Sequence, residues 1–145
     1  MTSAAQPRNL HWTLLFVSWL IALASTLGAL FFSEVVGLAP CVLCWYQRIA
    51  MFPLALMLAI ALLPFDARVV RYALPLALVG AAIAAYHTLL VWGLVPKDLV
   101  PCGQGPSCAE VKFELLGFTT LPLLSLTAFA LIAILLWILK SRKSG

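Results

Sequence analysis

Four long intervals without a charged side chain divide this chain, and they constrain its fold more than any other feature. The intervals contain no Asp, Glu, Lys or Arg and cover residues 9–33, 49–65, 72–96 and 115–139. A helix needs about 20 mostly apolar residues to cross the hydrocarbon core of a bilayer. Three intervals are long enough alone, and the second becomes so when residues 45–48 form its outer turn. The sequence therefore predicts four transmembrane helices, at roughly 11–32, 45–63, 70–93 and 119–139.

The composition indicates the same class of protein. Hydrophobic residues make up 64% of the chain and charged residues 10%, whereas a soluble domain is about half apolar and a quarter charged. The first apolar interval is too long for a signal-peptide core and lacks a convincing cleavage site, so we expect it to remain in the protein. The longest segment between predicted helices leaves no room for a soluble domain. We therefore expect residues 1–145 to form one all-α membrane domain, a bundle of four transmembrane helices.

The positive charges predict the orientation of this bundle. Six of the nine lysines and arginines fall on one side of the predicted helices: Arg8, Arg68, Arg71, Lys140, Arg142 and Lys143. Cytoplasmic loops carry the excess of Lys and Arg in membrane proteins. Both termini are therefore expected in the cytoplasm. The net charge of +4 reflects this sidedness and gives no reason to expect a nucleic-acid partner.

This orientation places all four cysteines outside the cytoplasm, where disulfides can persist. Cys41 and Cys44 lie in the first outer loop, and Cys102 and Cys108 lie in the second. Four cysteines allow three complete pairings, and the sequence does not choose among them.

The first pair forms a Cys-x-x-Cys motif at the start of a predicted helix. A helix N-terminus stabilises a thiolate through its unpaired N–H groups and partial positive charge. Arg48 follows Cys44 by four residues and therefore lies on the same helix face. Its guanidinium would lower the thiol pKa values or bind an acceptor oxygen, although an arginine at this depth can also reach for lipid headgroups. The neighbouring dithiol favours the functional interpretation.

Three interpretations of the two cysteine pairs are open. The pairs can be structural disulfides that staple the loops of a non-enzymatic assembly protein. They can form a four-thiolate zinc or iron–sulfur site, but five residues between Cys102 and Cys108 is an unusual spacing and the outer side is oxidising. The third interpretation is thiol–disulfide exchange between the pairs. We favour exchange, because a Cys-x-x-Cys ring is small and reactive, and we expect no metal.

Exchange requires an acceptor for the electrons. The chain has no Cys-x-x-Cys-His haem motif, no flavin fingerprint and no space for a soluble cofactor domain, so a lipid quinone in the bilayer is the natural acceptor. Arg48 would donate hydrogen bonds to a quinone oxygen and stabilise its developing charge. His87, at a similar depth in the third helix, is a candidate for a second oxygen partner or proton donor. It can equally be a packed histidine bonded to a helix carbonyl.

Small residues recur along two of the predicted helices. Ala73, Ala77, Ala81 and Ala85 follow one another at intervals of four, with Gly80 and Ala84 alongside, in the third helix. Ser18, Ala22, Ser25 and Ala29 form a similar stripe in the first. Small residues let transmembrane helices approach closely. Both stripes therefore predict tight helix packing.

Three segments resemble the DsbB family of bacterial disulfide bond formation proteins: "PCVLCWYQR", "YHTLL" and "CAEVKFELLGF". The resemblance extends over nearly the whole chain. It implies a thiol:quinone oxidoreductase in the bacterial cytoplasmic membrane. Such an enzyme reoxidises a soluble DsbA-like partner with a thioredoxin fold and passes the electrons to ubiquinone or menaquinone, which supports disulfide formation in secreted proteins.

The same resemblance implies a role for each site residue. Cys102 would form the mixed disulfide with the partner, and Cys108 would exchange with Cys41. Cys44 would be the thiolate in contact with quinone, and Arg48 would hold the quinone. The short second loop is similar to that of BdbC-like members, which leaves the division between Cys102 and Cys108 open. Vitamin K epoxide reductase homologues are the alternative family, but their Cys-x-x-Cys comes late in the bundle rather than at the head of helix two.

Overall fold

The computed structural model describes residues 5–96 and 121–144, and nearly all of these residues are helical. The four long helices are α1 (Ala5–Leu30), α2 (Val42–Leu62), α3 (Val70–Val91) and α4 (Leu121–Ser144). Each is long and apolar enough to cross a membrane. The prediction of an all-α protein with four transmembrane helices is confirmed. The predicted second cysteine pair, Cys102 and Cys108, lies outside the described residues.

Several helix ends differ from the predicted ones. The first helix begins at Ala5 rather than near residue 11 and continues beyond Leu30 as a π-helical segment, Phe31–Val35. The second begins three residues earlier than predicted, and α4 continues to Ser144 rather than ending near residue 139. Loss of apolar character marks the membrane boundary, but backbone hydrogen bonding continues beyond it because lysine and arginine are good helix formers.

The end of α3 has a specific backbone cause. The helix stops at Val91, two residues before the predicted end. Gly93 has a φ of +75°, a left-handed conformation that glycine adopts without steric cost. The N–H of Gly93 donates to the Leu90 carbonyl, and the N–H of Leu94 donates to the Leu89 carbonyl. These two bonds form a Schellman motif, which terminates the helix.

Part of the small-residue stripe of α3 packs closely, and Gly80 meets α4; the sequence predicted tight packing but not the partner helix. Ala73, Ala77 and Ala84 are fully buried, and Gly80 is buried among them. A methyl group at Gly80 would overlap the ring of Phe129 on α4. Close backbone approach of this kind is how small residues promote helix association in lipid.

The bundle is ordered so that α1 and α3 each pack against both α2 and α4. Because successive helices run in opposite directions, the end of α1, the start of α2 and the end of α3 lie at one end of the molecule. This arrangement brings the Cys-x-x-Cys motif, Arg48 and His87 together from separate parts of the sequence.

Candidate active site

The Cys-x-x-Cys dithiol lies at the start of α2, as its spacing predicted. Cys41 is the N-cap residue, with an extended backbone, and its Sγ accepts a hydrogen bond from the backbone N–H of Cys44 at 3.3 Å. The Cys41 carbonyl accepts the bond from Trp45 N–H that starts the helical ladder. The two sulfurs are 2.7 Å apart. Cys41 is only 1% exposed, whereas Cys44 is partly exposed, so the two thiols differ in access.

His87 reaches the dithiol from α3. Its imidazole is buried, with Nε2 lying 3.9 Å from the Cys41 Sγ. The other ring nitrogen, Nδ1, lies 3.0 Å from the side-chain nitrogen of Gln47. The imidazole therefore bridges a thiol and an amide that both belong to α2. This contact with the dithiol favours the functional interpretation of His87 over that of a packed histidine.

Sequence reasoning did not single out Gln47. Its side chain is 7% exposed. It follows Cys44 by three residues and therefore lies on the same face of α2. A polar amide inside an apolar membrane helix needs a hydrogen-bond partner, and this requirement is the signal that could have identified it. The partner is His87, which is distant in sequence.

The surroundings of Cys41, just ahead of the second membrane span, favour its thiolate. The hydrogen bond from the Cys44 thiol lowers the pKa of Cys41 most strongly, while burial opposes that shift. His87 and the backbone N–H of Cys44 also lower this pKa. These contacts therefore favour a negative charge on Cys41 in the reduced pair.

Arg48 is held by the end of α1 and by the π-helical segment that follows it. Its Nη2 donates to the Ala29 carbonyl at 2.6 Å, and its Nη1 donates to the Ser33 hydroxyl at 3.3 Å. The last carbonyls of a helix carry partial negative charge, which attracts a cation. The guanidinium carbon also lies 5.8 Å from the centre of the Trp45 ring. Arg48 thus lies against the end of α1, beside the π-helical segment.

A cavity of about 600 Å³ adjoins these groups and extends between α1, α2 and α4. Cys44, Gln47, Arg48 and His87 border it, and most of the remaining lining is apolar. Its walls also contain small residues from α1 and α4: Ala24, Ser25, Gly28, Ala29, Ser125 and Ala128. Part of the α1 stripe therefore lines open space instead of packing closely. Ser25 and Ala29 border the cavity, whereas Ser18 and Ala22 of the same stripe are fully buried.

The site combines groups suited to one kind of chemistry. It contains a dithiol for exchange, an imidazole beside one sulfur, and a guanidinium next to an apolar cavity. Arg48 and His87 are among the polar side chains of the cavity lining that can hold a polar ligand, with Cys44 beside them. Cys102 and Cys108 are the remaining predicted site residues and lie outside the described residues.

Comparisons with known proteins agree with this chemistry. The family described as "Disulfide bond formation protein DsbB" matches residues 9–139. A "Probable disulfide formation protein" of Metapseudomonas resinovorans is 54% identical over 138 residues, which cover 94% of this chain and 96% of that protein. "Disulfide bond formation protein C" of Bacillus subtilis (strain 168) is 45% identical over 130 residues, covering 90% and 94%.

No solved structure matches the chain. The family match nevertheless extends from α1 to α4 and includes both cysteine pairs. The chain therefore belongs to the DsbB family of disulfide bond formation proteins.

Proposed function

We propose that this protein is a thiol:quinone oxidoreductase that reoxidises a DsbA-like, thioredoxin-fold dithiol protein outside the cytoplasm. Membership of the DsbB family supports thiol–disulfide oxidoreductase activity in a multi-pass membrane protein. One observation carries the finer proposal: Cys44 of the dithiol, Arg48 and His87 border one apolar cavity inside a membrane bundle, and His87 also contacts Cys41.

The lining of the cavity fits a lipid quinone. Its apolar walls suit a quinone ring and the start of an isoprenoid chain, and its volume lies within the usual range of small-molecule sites. Arg48 would donate hydrogen bonds to a quinone oxygen, and His87 would be a second donor. A bound quinone would supply the acceptor for two electrons and two protons. Ubiquinone and menaquinone both satisfy these requirements.

The two sulfurs have different surroundings, and this difference supports separate tasks. Cys41 is enclosed beside His87, and when the pair is a disulfide the Cys108 thiolate would attack its sulfur, which breaks the Cys41–Cys44 bond and releases the Cys44 thiolate. Cys44 borders the cavity and would face the acceptor. In the reduced pair, the hydrogen bond between the sulfurs would let a proton move from Cys44 to Cys41, which leaves Cys44 as the thiolate that faces the acceptor. Closure of the Cys41–Cys44 disulfide releases two electrons.

The roles of the remaining cysteines and the membrane location are those that membership of the DsbB family implies. Cys102 would form the mixed disulfide with the partner. Cys108 would exchange with Cys41, which transfers the oxidising equivalent from the first cysteine pair to the second. The protein would lie in the bacterial cytoplasmic membrane with both termini inside. Its cysteine pairs would face the periplasm or the cell exterior, where the soluble partner is found.

Two cysteine variants separate these roles when purified protein is assayed with added quinone. Replacing Cys102 and Cys108 by Ser removes the docking pair but leaves Cys41, Cys44 and Arg48 intact. We expect dithiothreitol still to drive quinone reduction in this variant, because a small thiol reaches the dithiol directly, while oxidation of a reduced thioredoxin-fold partner collapses. Cys44→Ser should abolish quinone reduction with either donor.

Folding is the necessary control, because loss of a disulfide can destabilise a protein. Both variants should retain the thermal unfolding midpoint of the parent within a few degrees. Equal loss of both activities in two folded variants would contradict the division of labour and favour a single site of four cysteines.

A further inference from the structure

Three groups that bind soft metal ions converge at the head of α2. The sulfurs of Cys41 and Cys44 and a ring nitrogen of His87 all lie within 4.8 Å of one another. Two of these residues are buried, and Cys44 is partly exposed. This set differs from the four-thiolate site considered from the sequence, because it uses one cysteine pair and a histidine from another helix.

The spacing is close to that of a tetrahedral zinc site. Zinc lies about 2.3 Å from sulfur and about 2.0–2.1 Å from nitrogen, which places neighbouring ligand atoms roughly 3.5–3.8 Å apart. The distance from Cys41 Sγ to His87 Nε2 is already 3.9 Å. The two sulfurs, 2.7 Å apart, would have to separate by about 1 Å. Rotation of the partly exposed Cys44 side chain provides that movement.

Gln47 can support a metal-bound His87. A histidine that binds zinc through Nε2 carries its proton on Nδ1 and donates it to an outer acceptor, which orients the ring. Nδ1 of His87 faces the Gln47 amide at 3.0 Å. Rotation of that amide would present its oxygen as the acceptor. The present contact, in which the nitrogen faces the ring, and the metal-bound contact therefore differ by one amide rotation.

The charges also balance. The two thiolates would neutralise the charge of a bound Zn²⁺, so the occupied site carries no net charge beside Arg48. Three protein ligands leave a fourth position for water, the arrangement found in some zinc enzymes with two Cys and one His. Once Cys41 and Cys44 form a disulfide, both thiolates are gone and only His87 remains.

We propose that the reduced Cys41–Cys44 pair and His87 form an inhibitory Zn²⁺ site that exists only in the reduced protein. Zinc bound there holds both thiolates and prevents their oxidation. The site depends on these three side chains and not on the identity of the electron acceptor. Zinc outside the cytoplasm would therefore slow turnover without being a resident cofactor.

The test uses the full chain with Cys102 and Cys108 replaced by Ser, so that Cys41 and Cys44 are its remaining cysteines. This parent is reduced with a phosphine, freed of quinone and titrated anaerobically with Zn²⁺. We expect one zinc per protein in the reduced parent and none after oxidation to the disulfide. His87→Gln should weaken zinc binding at least about 100-fold, and Gln47→Leu by about 10- to 100-fold, the usual cost of losing an outer partner. His11→Ala, a change at the other histidine, should have no effect.

Co²⁺ provides a second readout that does not involve activity. The reduced parent should give thiolate-to-cobalt charge-transfer absorption and tetrahedral ligand-field bands. Cys44→Ser should reduce the charge-transfer intensity by about half, even if it folds less stably. Equal zinc affinity in the parent and in folded His87→Gln would contradict the proposal, because zinc would then be bound by the two thiols without His87. Equal binding by the oxidised parent, or no binding by the reduced parent, would also overturn it.

Discussion

The position of Arg48 depends on one contact with the end of α1 and one with the π-helical segment that follows it. The guanidinium donates to the Ala29 carbonyl and to the Ser33 hydroxyl, and it also borders the cavity. A guanidinium carries five N–H donors in a fixed plane, so Arg48 can keep both contacts and still donate toward the cavity. A lysine ammonium has the same charge but lacks this planar geometry.

Arg48→Lys should therefore raise the KM for quinone by about 10-fold, which corresponds to about 1.4 kcal/mol and to the loss of one hydrogen bond from a charged donor. The maximal rate with dithiothreitol should change less than the KM. Steady-state quinone reduction by purified protein measures both quantities. Arg68→Lys is the matched control, because Arg68 is exposed and lies before α3 at the other end of the bundle.

An unchanged quinone KM in both Arg48→Lys and Arg48→Ala would contradict this role. The contacts of Arg48 would then serve only to fix the outer end of α1 and to meet lipid headgroups.

The residues that carry the chemistry of the site could be predicted from the sequence, but most of the contacts between them could not. Cys41, Cys44 and Arg48 lie within eight residues of one helix face, so helical periodicity alone places them together. His87 comes from another helix, and its contact with Cys41 depends on the packing of α3 against α2. The role of Gln47 appears only through that contact. Pairings between helices are set by packing, which a single sequence does not specify.

Among the helices, the pairing of α3 with α4 depends on the absence of a side chain at Gly80. The Phe129 ring, fully buried, occupies the space where a Cβ would lie. Phe129 belongs to the main apolar core of the bundle together with residues from all four helices. Movement of this ring would therefore disturb more than one helix pair.

Gly80→Ala should destabilise the protein by about 1–3 kcal/mol, the usual cost of overpacking a core. This cost should exceed the gain of up to about 1 kcal/mol from replacing glycine by alanine in a helix. Thermal unfolding in detergent measures the change as a lower midpoint. Gly28→Ala is the matched control, since nothing lies within 4 Å of a Cβ at Gly28, and it should leave the midpoint unchanged or slightly higher. A Gly80→Ala midpoint equal to that of Gly28→Ala would contradict the close packing.

The two small-residue stripes show what a helix pattern can and cannot predict. Both have the spacing that permits close packing, yet the α3 stripe is buried against Phe129 while Ser25 and Ala29 of α1 line the cavity. Small residues are compatible both with close helix contact and with a cavity. Which of the two forms depends on the side chains of the neighbouring helix. The charge-free intervals, by contrast, predicted all four membrane helices, because lipid imposes that requirement on each helix separately.

For the whole molecule, oxidation of a partner outside the cytoplasm requires the cysteines to face away from the cytoplasm. The excess of Lys and Arg at the opposite end of the bundle predicts this orientation. The exposed position Ser141, on the last turns of α4, should then lie on the cytoplasmic side.

Two single-cysteine variants of a cysteine-free chain test the orientation. Restoring Cys102 should allow labelling by a membrane-impermeant thiol reagent in intact cells. Ser141→Cys should be labelled only after the membrane is breached. The reverse pattern would overturn the topology and, with it, oxidation of a partner outside the cytoplasm.

In the proposed function the Cys41–Cys44 dithiol itself delivers electrons to quinone, and a single anaerobic turnover measures this transfer. The variant with Cys102 and Cys108 replaced by Ser is reduced, freed of reductant and mixed with a short-chain quinone. The account predicts one quinone reduced per protein, with loss of both thiols and formation of the Cys41–Cys44 disulfide detected by mass spectrometry. Folded protein that keeps both thiols while the quinone remains oxidised would contradict the claim.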